Sequence, residues 1–210
     1  NPHFLFNTIN SIFVLIHKNP DMASESLAKF SNLLRYQLYE CNDNFIPLEM
    51  EVQFLQNFFE LESLRQEENQ QVNLQLDLPA SGDLVIAPFL LIPFLENAFK
   101  HVSQEAQQVN QIWVRMRLTG QELLMEVGNT ISQTPTSGQD LRIGGIGLQN
   151  VQRRLELLYP KRHTLSIEEG DRKYVVRLRL SLTPARSVAQ VTLPVTPPNA
   201  THHPTLSTYP

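Results

Sequence analysis

The sequence predicts an α+β protein in which a helical hairpin is followed by an α/β sandwich with a mixed sheet. Three observations predict it. Apolar residues recur at helical spacing through roughly the first third of the chain, broken twice by proline-containing turns. From "VNLQLDL" onward the period changes to strand-like alternation, interrupted by helical segments. Helices first, then helices and strands together, is the order of an α+β arrangement. With 210 residues, 41% of them hydrophobic, the chain can bury a real core in one domain or two small ones.

The first helix runs from Pro2 to about Lys18, with Leu5, Ile9, Ile12 and Ile16 as its apolar stripe and Phe6 and Phe13 flanking it. Asn1 and Pro2 suit an N-cap and first helical position, and suit equally a helix arriving from upstream and kinked at Pro2. "KNPD" breaks the pattern. Asp21 then caps a second helix to about Tyr39, whose apolar side is Leu27, Phe30, Leu34 and Leu38. After the polar "ECNDNFIP", a third helix spans about Leu48 to Glu67, burying Val52, Leu55, Phe59 and Leu64.

"VNLQLDL" reads as a half-buried strand, "APFLLIPFLENAFKHV" as a helix, and "QIWVRMRLTGQELLMEVGN" as two strands about a turn at Gly120-Gln121. Thr130 to Gly144 has no period. It leads into "GGIGL", the helix "QNVQRRLELLY" and two last strands, "TLSIEEG" and "KYVVRLRLSL". From residue 183 the composition turns to Pro and Thr, too polar to bury a core, so a disordered tail is expected there. The expected division is 1–46 helical hairpin, 47–182 α/β domain and 183–210 tail.

The formal charge of −4 and the lack of a basic run argue against nucleic acid or an anionic membrane surface as main partner. Cys41 is the single cysteine, which excludes an internal disulfide and fits a reducing compartment, with the cytosol as default. No apolar run approaches the roughly 20 residues that span a bilayer. The chain starts at Asn1 and not at Met, and is expected to be a piece of a longer protein.

Three groups of residues carry chemistry. At about 100° per residue, His3, Asn7 and Asn10 share one helix face, opposite the apolar stripe. A neutral imidazole there keeps a nitrogen able to attack phosphorus, with Asn7 one turn on to hold a water or a phosphate oxygen. Spacing alone describes a wet polar face just as well. In "PFLENAFKH", Asn97, Lys100 and His101 lie at i, i+3 and i+4, with Glu96 beside Lys100. An amide oxygen for Mg²⁺, an ammonium and an imidazole for phosphate oxygens make a triphosphate-and-metal surface. The bland alternative is a helix-stabilising Glu96–Lys100 pair with His101 at the negative helix end. Third, Gly144, Gly145 and Gly147 open a helix, where backbone N–H groups can approach an anion. The run lacks the Lys-Ser/Thr of a P-loop and the preceding strand of a dinucleotide fingerprint, and a glycine turn ending a loop has the same composition.

The order of the three groups decides between these readings. The chain resembles the LytS/YehU-type sensor histidine kinases: "NPHFLFNTIN" is similar to their phosphoacceptor box, "PFLLIPFLENAFKH" to their N-box, and "GGIGLQNVQRRLELLYP" to their G-box and following helix. The resemblance runs from Asn1 to about Leu182. It implies a dimerising helical hairpin, a four-helix bundle when paired, joined to a Bergerat-type ATP-binding sandwich.

By that resemblance His3 is the phosphorylated residue, Asn97 ligates Mg²⁺, Lys100 and His101 touch the phosphates of ATP, and Gly145, Gly147 and Leu148 lie against the nucleotide. Thr130 to Gly144 is the lid. Asn129 stands where relatives hold adenine through an Asp, which implies weaker ATP binding, and Ile143 sits where glycine is usual. Phe4 follows His3 where many other histidine kinases have an acid, so the proton acceptor is unnamed and Glu96 is the candidate. The partners implied are a second copy of the chain and a response regulator of the LytTR type. Nucleic acid is not among them. Any membrane contact runs through segments outside the chain, giving a cytoplasmic portion of a protein of the bacterial inner membrane. A nucleotide-binding signalling module without kinase activity, or a plain ATP hydrolase, are the alternatives.

Overall fold

A computed structural model describes residues 2–40, 43–65, 69–132 and 146–188. Helix α1 (Pro2–Lys18) turns directly into α2 (Pro20–Arg35), the two packing side by side as the expected hairpin. The cap of α2 is Asn19, whose Oδ1 accepts the N–H of Met22 at 3.1 Å, and not Asp21; Pro20 occupies the first turn, where its missing N–H costs nothing. The end of α2 widens into a π-helical turn, Tyr36–Glu40, that carries Tyr36 inward and leaves Leu38 and Tyr39 exposed.

The short strand β1 (Ile46–Pro47) leads into α3 (Leu48–Ser63). Strand β2 (Gln70–Asp77) and the three-residue β3 (Leu84–Ile86) follow, then α4 (Ile92–His101) and the long hairpin β4 (Asn110–Thr119) and β5 (Glu122–Thr130). Gly120, at φ +60, makes the tight turn between them. Helix α5 (Ile146–Leu158), the hairpin β6 (His163–Glu169) and β7 (Lys173–Ser181), strand β8 (Thr183–Pro184) and the single turn α6 (Ala185–Val188) complete the described chain.

Five strands form one sheet in the order β2-β4-β5-β7-β6, with β2 and β4 parallel and the remaining pairs antiparallel. Ile112, Val114, Met116, Leu123, Met125, Val127, Val176 and Leu178 line its inner face, on which α4 and α5 pack. A second, small sheet, β1-β3-β8, was not legible in the sequence, because two- and three-residue strands carry no period. Through it the chain stays ordered beyond Leu182: Thr183 pairs with Val85, and Ala185 N–H donates to Asp83 O at 2.8 Å. The rest of the expected tail, 189–210, lies outside the described residues.

The inward face of α1 differs from the expected stripe. Phe4, Thr8 and Ile12 are buried, whereas Ile9, Val14 and Ile16 are about half exposed and Phe6 and Phe13 about two-thirds. This helix is apolar around most of its circumference, so its own sequence marks no single stripe, and the partner surface selects one. In α2 the buried residues are Ala23, Ser26, Phe30 and Leu33, with Leu27 and Leu38 turned outward. Helix α4 starts five residues later than "APFLLIPFL" suggests, since Phe89 adopts the left-handed region at φ +54.

Candidate functional site

Helix α3 is the floor on which the site is assembled. Its Phe58 stacks on Phe4 of α1, with ring centroids 4.7 Å apart, and meets Phe99 of α4 edge-on at 6.2 Å; Phe59 meets Phe99 at 5.6 Å. Aromatic edge-to-face and offset pairs of this kind have defined geometry. They bring the residue after His3 and the residue before Lys100 onto one cluster. Lys29 of α2, bonded to Glu25 on its own helix and to Glu60 of α3 at 2.6 Å, ties the hairpin to the same helix from the other side.

At the start of α1, His3 is exposed and Asn7 half-buried. The Asn7 amide nitrogen lies 2.9 Å from His3 Nδ1 and 3.3 Å from Nε2. The amide can donate to whichever ring nitrogen is unprotonated, since the roles depend on the tautomer. Across from them, the electrostatic surroundings of Glu62 on α3 include His3, Glu96 and Arg65. Burial holds the Glu62 carboxyl above the usual carboxylate range, while the Arg65 and His3 charges pull it back. Glu62 sits at the end of a helix of core residues, so its electrostatic link to His3 arises only on folding and carries no sequence signal. Glu96 is half-buried and shares this region.

Farther along α4, Asn97 is half-buried, and Lys100 and His101 are exposed at the helix end. Partial covering of its ring, then the neighbouring Lys100 charge, lowers the His101 pKa from 6.5, so His101 offers a neutral imidazole at pH 7 rather than a second cation. Asn129 on β5 is fully buried. Its Nδ2 donates to the carbonyls of His101 and Thr130, both at 3.1 Å, which ties β5 to the end of α4. Its Oδ1 is buried with no hydrogen-bond partner among the described residues. Such an acceptor suits the amino group of a purine.

Gly147 is exposed in the first turn of α5, and a Cβ there would meet nothing within 4 Å, so packing among the described residues does not explain the glycine. Leu148, expected against the nucleotide, is instead 5% exposed and part of the core. Gly144, Gly145, Ile143 and most of the expected lid lie outside the described residues. Asn97 offers Mg²⁺ one hard oxygen; phosphate oxygens and waters supply the remaining ligands of such an ion, and no cluster of three His, Cys, Asp or Glu exists among the described residues. A concavity of about 960 Å³ lies elsewhere, on the open sheet face among Arg115, Glu126 and Arg177, and includes none of the expected site residues.

The histidine kinase family model matches residues 1–70, the hairpin and α3 together. Sensor protein LytS of Staphylococcus saprophyticus is 32% identical over 177 residues, 80% of this chain and 30% of that protein. The chain belongs to the histidine kinase family. Sensor protein LytS of Streptococcus agalactiae is 33% identical over 76% of the chain, and sensor histidine kinase BtsS of Escherichia coli 28% identical over 86%. The chain spans about a third of the length of these relatives, 29 to 31%. A histidine kinase domain from Erythrobacter litoralis aligns with a TM-score of 0.47 at 17% identity over 76% of this chain and 74% of that one, a likeness too loose to carry detail.

Proposed function

We propose that this chain is the kinase region of a two-component sensor, which transfers the γ-phosphoryl group of Mg-ATP to His3 and then hands it to an aspartate of a response regulator of the LytTR type. The observation that carries this reading is the Phe4–Phe58–Phe99 contact, which links the His3 end of α1 through α3 to the helix bearing Asn97 and Lys100. In the transfer, a His3 nitrogen forms a bond to phosphorus as the bond to the β–γ bridging oxygen breaks. The two electrons of the broken bond leave with ADP.

The ring nitrogen of His3 that carries no proton attacks, and the proton on the other ring nitrogen passes to a carboxylate as the phosphohistidine forms. Glu62, whose carboxyl feels the His3 charge, is the first candidate acceptor, and its raised pKa suits it to hold that proton; Glu96, an electrostatic neighbour of Glu62, is the second. Asn97 would hold Mg²⁺, which when bound neutralises phosphate charge. Lys100 supports the phosphates with charge, His101 with a neutral N–H, and Asn129 Oδ1 accepts from the adenine amine. Catalysis is then mainly positioning and charge stabilisation.

The outward row Phe6, Ile9, Phe13 and Ile16, with Leu27 on α2, is 49% to 69% exposed. Its 3-4-3 spacing suits a homodimeric four-helix bundle. No helix among the described residues is long and apolar enough to cross a membrane. The chain is read as the cytoplasmic part of a protein held in a bacterial inner membrane by other segments. A nucleotide-binding relay without kinase activity is the second reading, favoured by the uncharged Asn129. Incubation with γ-labelled ATP and Mg²⁺ separates the readings. Acid-labile, base-stable label that vanishes in His3→Gln is the expected result; a folded protein that binds ATP and takes no label supports the relay. Sustained phosphate release surviving His3→Gln marks a hydrolase.

A further inference from the structure

The segment before α4, Ala87 to Leu91, has little regular backbone pairing, yet side chains from other elements reach five of its polar groups. Tyr159 Oη accepts the N–H of Ala87 at 2.8 Å. Arg154 of α5 donates to the carbonyls of Pro88 at 2.7 Å and Phe89 at 3.2 Å. From the opposite side the carboxylate of Glu51, on α3, accepts the N–H of Phe89 at 2.9 Å and of Leu91 at 3.0 Å. The Oε2 that takes Phe89 also takes the hydroxyl of Tyr36 at 2.5 Å, at the π-helical end of the hairpin. Glu51 is 0% exposed and Tyr36 3%.

We propose that Arg154 and Glu51 are positioning residues for the nucleotide site: they clamp the left-handed turn at Phe89 between α5 and α3, and so set where Asn97 and Lys100 stand. The inference rests on reading α4 as the nucleotide-binding helix. A non-glycine residue in the left-handed region persists only where its surroundings over-determine it, and here its N–H and its C=O are each held by a charged side chain. A buried carboxylate is a costly way to fill space that a leucine would fill more cheaply. Its three donors give it a geometric task, and the burial that raises its pKa from 4.5 underlines the cost.

Arg154 stands seven residues, two helical turns, after Gly147 and on the same face of α5. Arg154 therefore joins the helix whose first turn holds Gly147 to the start of α4. Through Glu51 the same turn is joined to Tyr36, so the state of the hairpin and the state of the nucleotide helix meet at one peptide unit.

The test uses the full 210-residue chain with Arg154→Met, Arg154→Lys and Tyr36→Phe. Amide hydrogen exchange is followed without nucleotide, and ATP affinity is read by displacement of a fluorescent ATP analogue. In Arg154→Met, amides of 92–101 are expected to exchange about tenfold faster while those of β4 and β7 keep their rates, and ATP affinity falls about tenfold, as loss of a supporting partner does elsewhere. Arg154→Lys recovers part of both. Tyr36→Phe keeps ATP affinity but lowers the autophosphorylation rate severalfold, a KM-against-kcat split. Unchanged exchange in 92–101, or uniform acceleration across the sheet as well, overturns the clamp, as does wild-type ATP affinity in Arg154→Met. A wild-type chain that binds no ATP overturns the nucleotide reading instead, and the exchange comparison still decides the clamp.

Discussion

The ring of Phe4 lies on that of Phe58 with 4.7 Å between centroids and 29° between planes, so the residue after His3 is anchored to α3 and not to solvent. Phe4→Leu keeps an apolar anchor but changes its shape, at a cost of about 1 kcal/mol. ATP affinity is expected to stay within about twofold, because no nucleotide-facing group changes. The initial rate of phosphohistidine formation should drop about tenfold, since His3 loses its fixed approach to the phosphate. An unaltered rate in a folded Phe4→Leu protein would remove the positioning role given to this contact.

Because Phe4, Phe58 and Phe99 belong to one chain, His3 is expected to receive phosphate from ATP on its own chain. Mixing His3→Gln protein with Asn97→Asp protein, each inactive alone, should leave both unlabelled after subunits have been allowed to exchange. Label on the Asn97→Asp chain would mean transfer between chains.

His101 titrates below 6.5 because its ring is partly covered and because Lys100 is beside it, in that order. Lys100→Met should move the His101 midpoint upward, read from the imidazole Cε1–H proton resonance, without bringing it fully to 6.5. The sign for stability follows. Between the lowered folded pKa and 6.5 the unfolded chain binds more proton, so stability rises with pH across that window and is flat above it. Lys100→Met should flatten the rise, as measured by urea unfolding at several pH values.

Trp113 lies over Gly128 of the neighbouring strand so closely that a Cβ there would fall 2.1 Å from its ring. The indole also donates to Glu126 at 3.0 Å and sits under Lys173. Gly128→Ala must push the ring aside, destabilising the protein by about 1–3 kcal/mol. As the single tryptophan of the chain, Trp113 should report this by a red-shifted emission. Asn129 is the next residue, and ATP affinity should fall in parallel.

The groupings of candidate residues were legible in residue order because they are local. Asn97, Lys100 and His101 fall on one helix by spacing alone, and Asn7 reaches His3 one turn away. Leu148 is buried in the core, and a leucine after a glycine turn has the same sequence signature whether it faces a ligand or the core. Glu62, Glu51 and Arg154 escaped notice for a different reason. Each looks like an ordinary polar residue on its own helix, and each matters through a group more than 25 residues away.

Periodicity and turn chemistry in the sequence determined the hairpin, the strands of the five-stranded sheet and which candidate residues share a helix face, since local backbone preference and side-chain type act over a few residues. Only the tertiary structure decided which side of the largely apolar α1 turns inward, that Glu62 enters the electrostatic surroundings of His3, and what holds the start of α4. Those outcomes depend on burial against elements distant in the chain, where desolvation and packing outweigh anything a short window of sequence encodes.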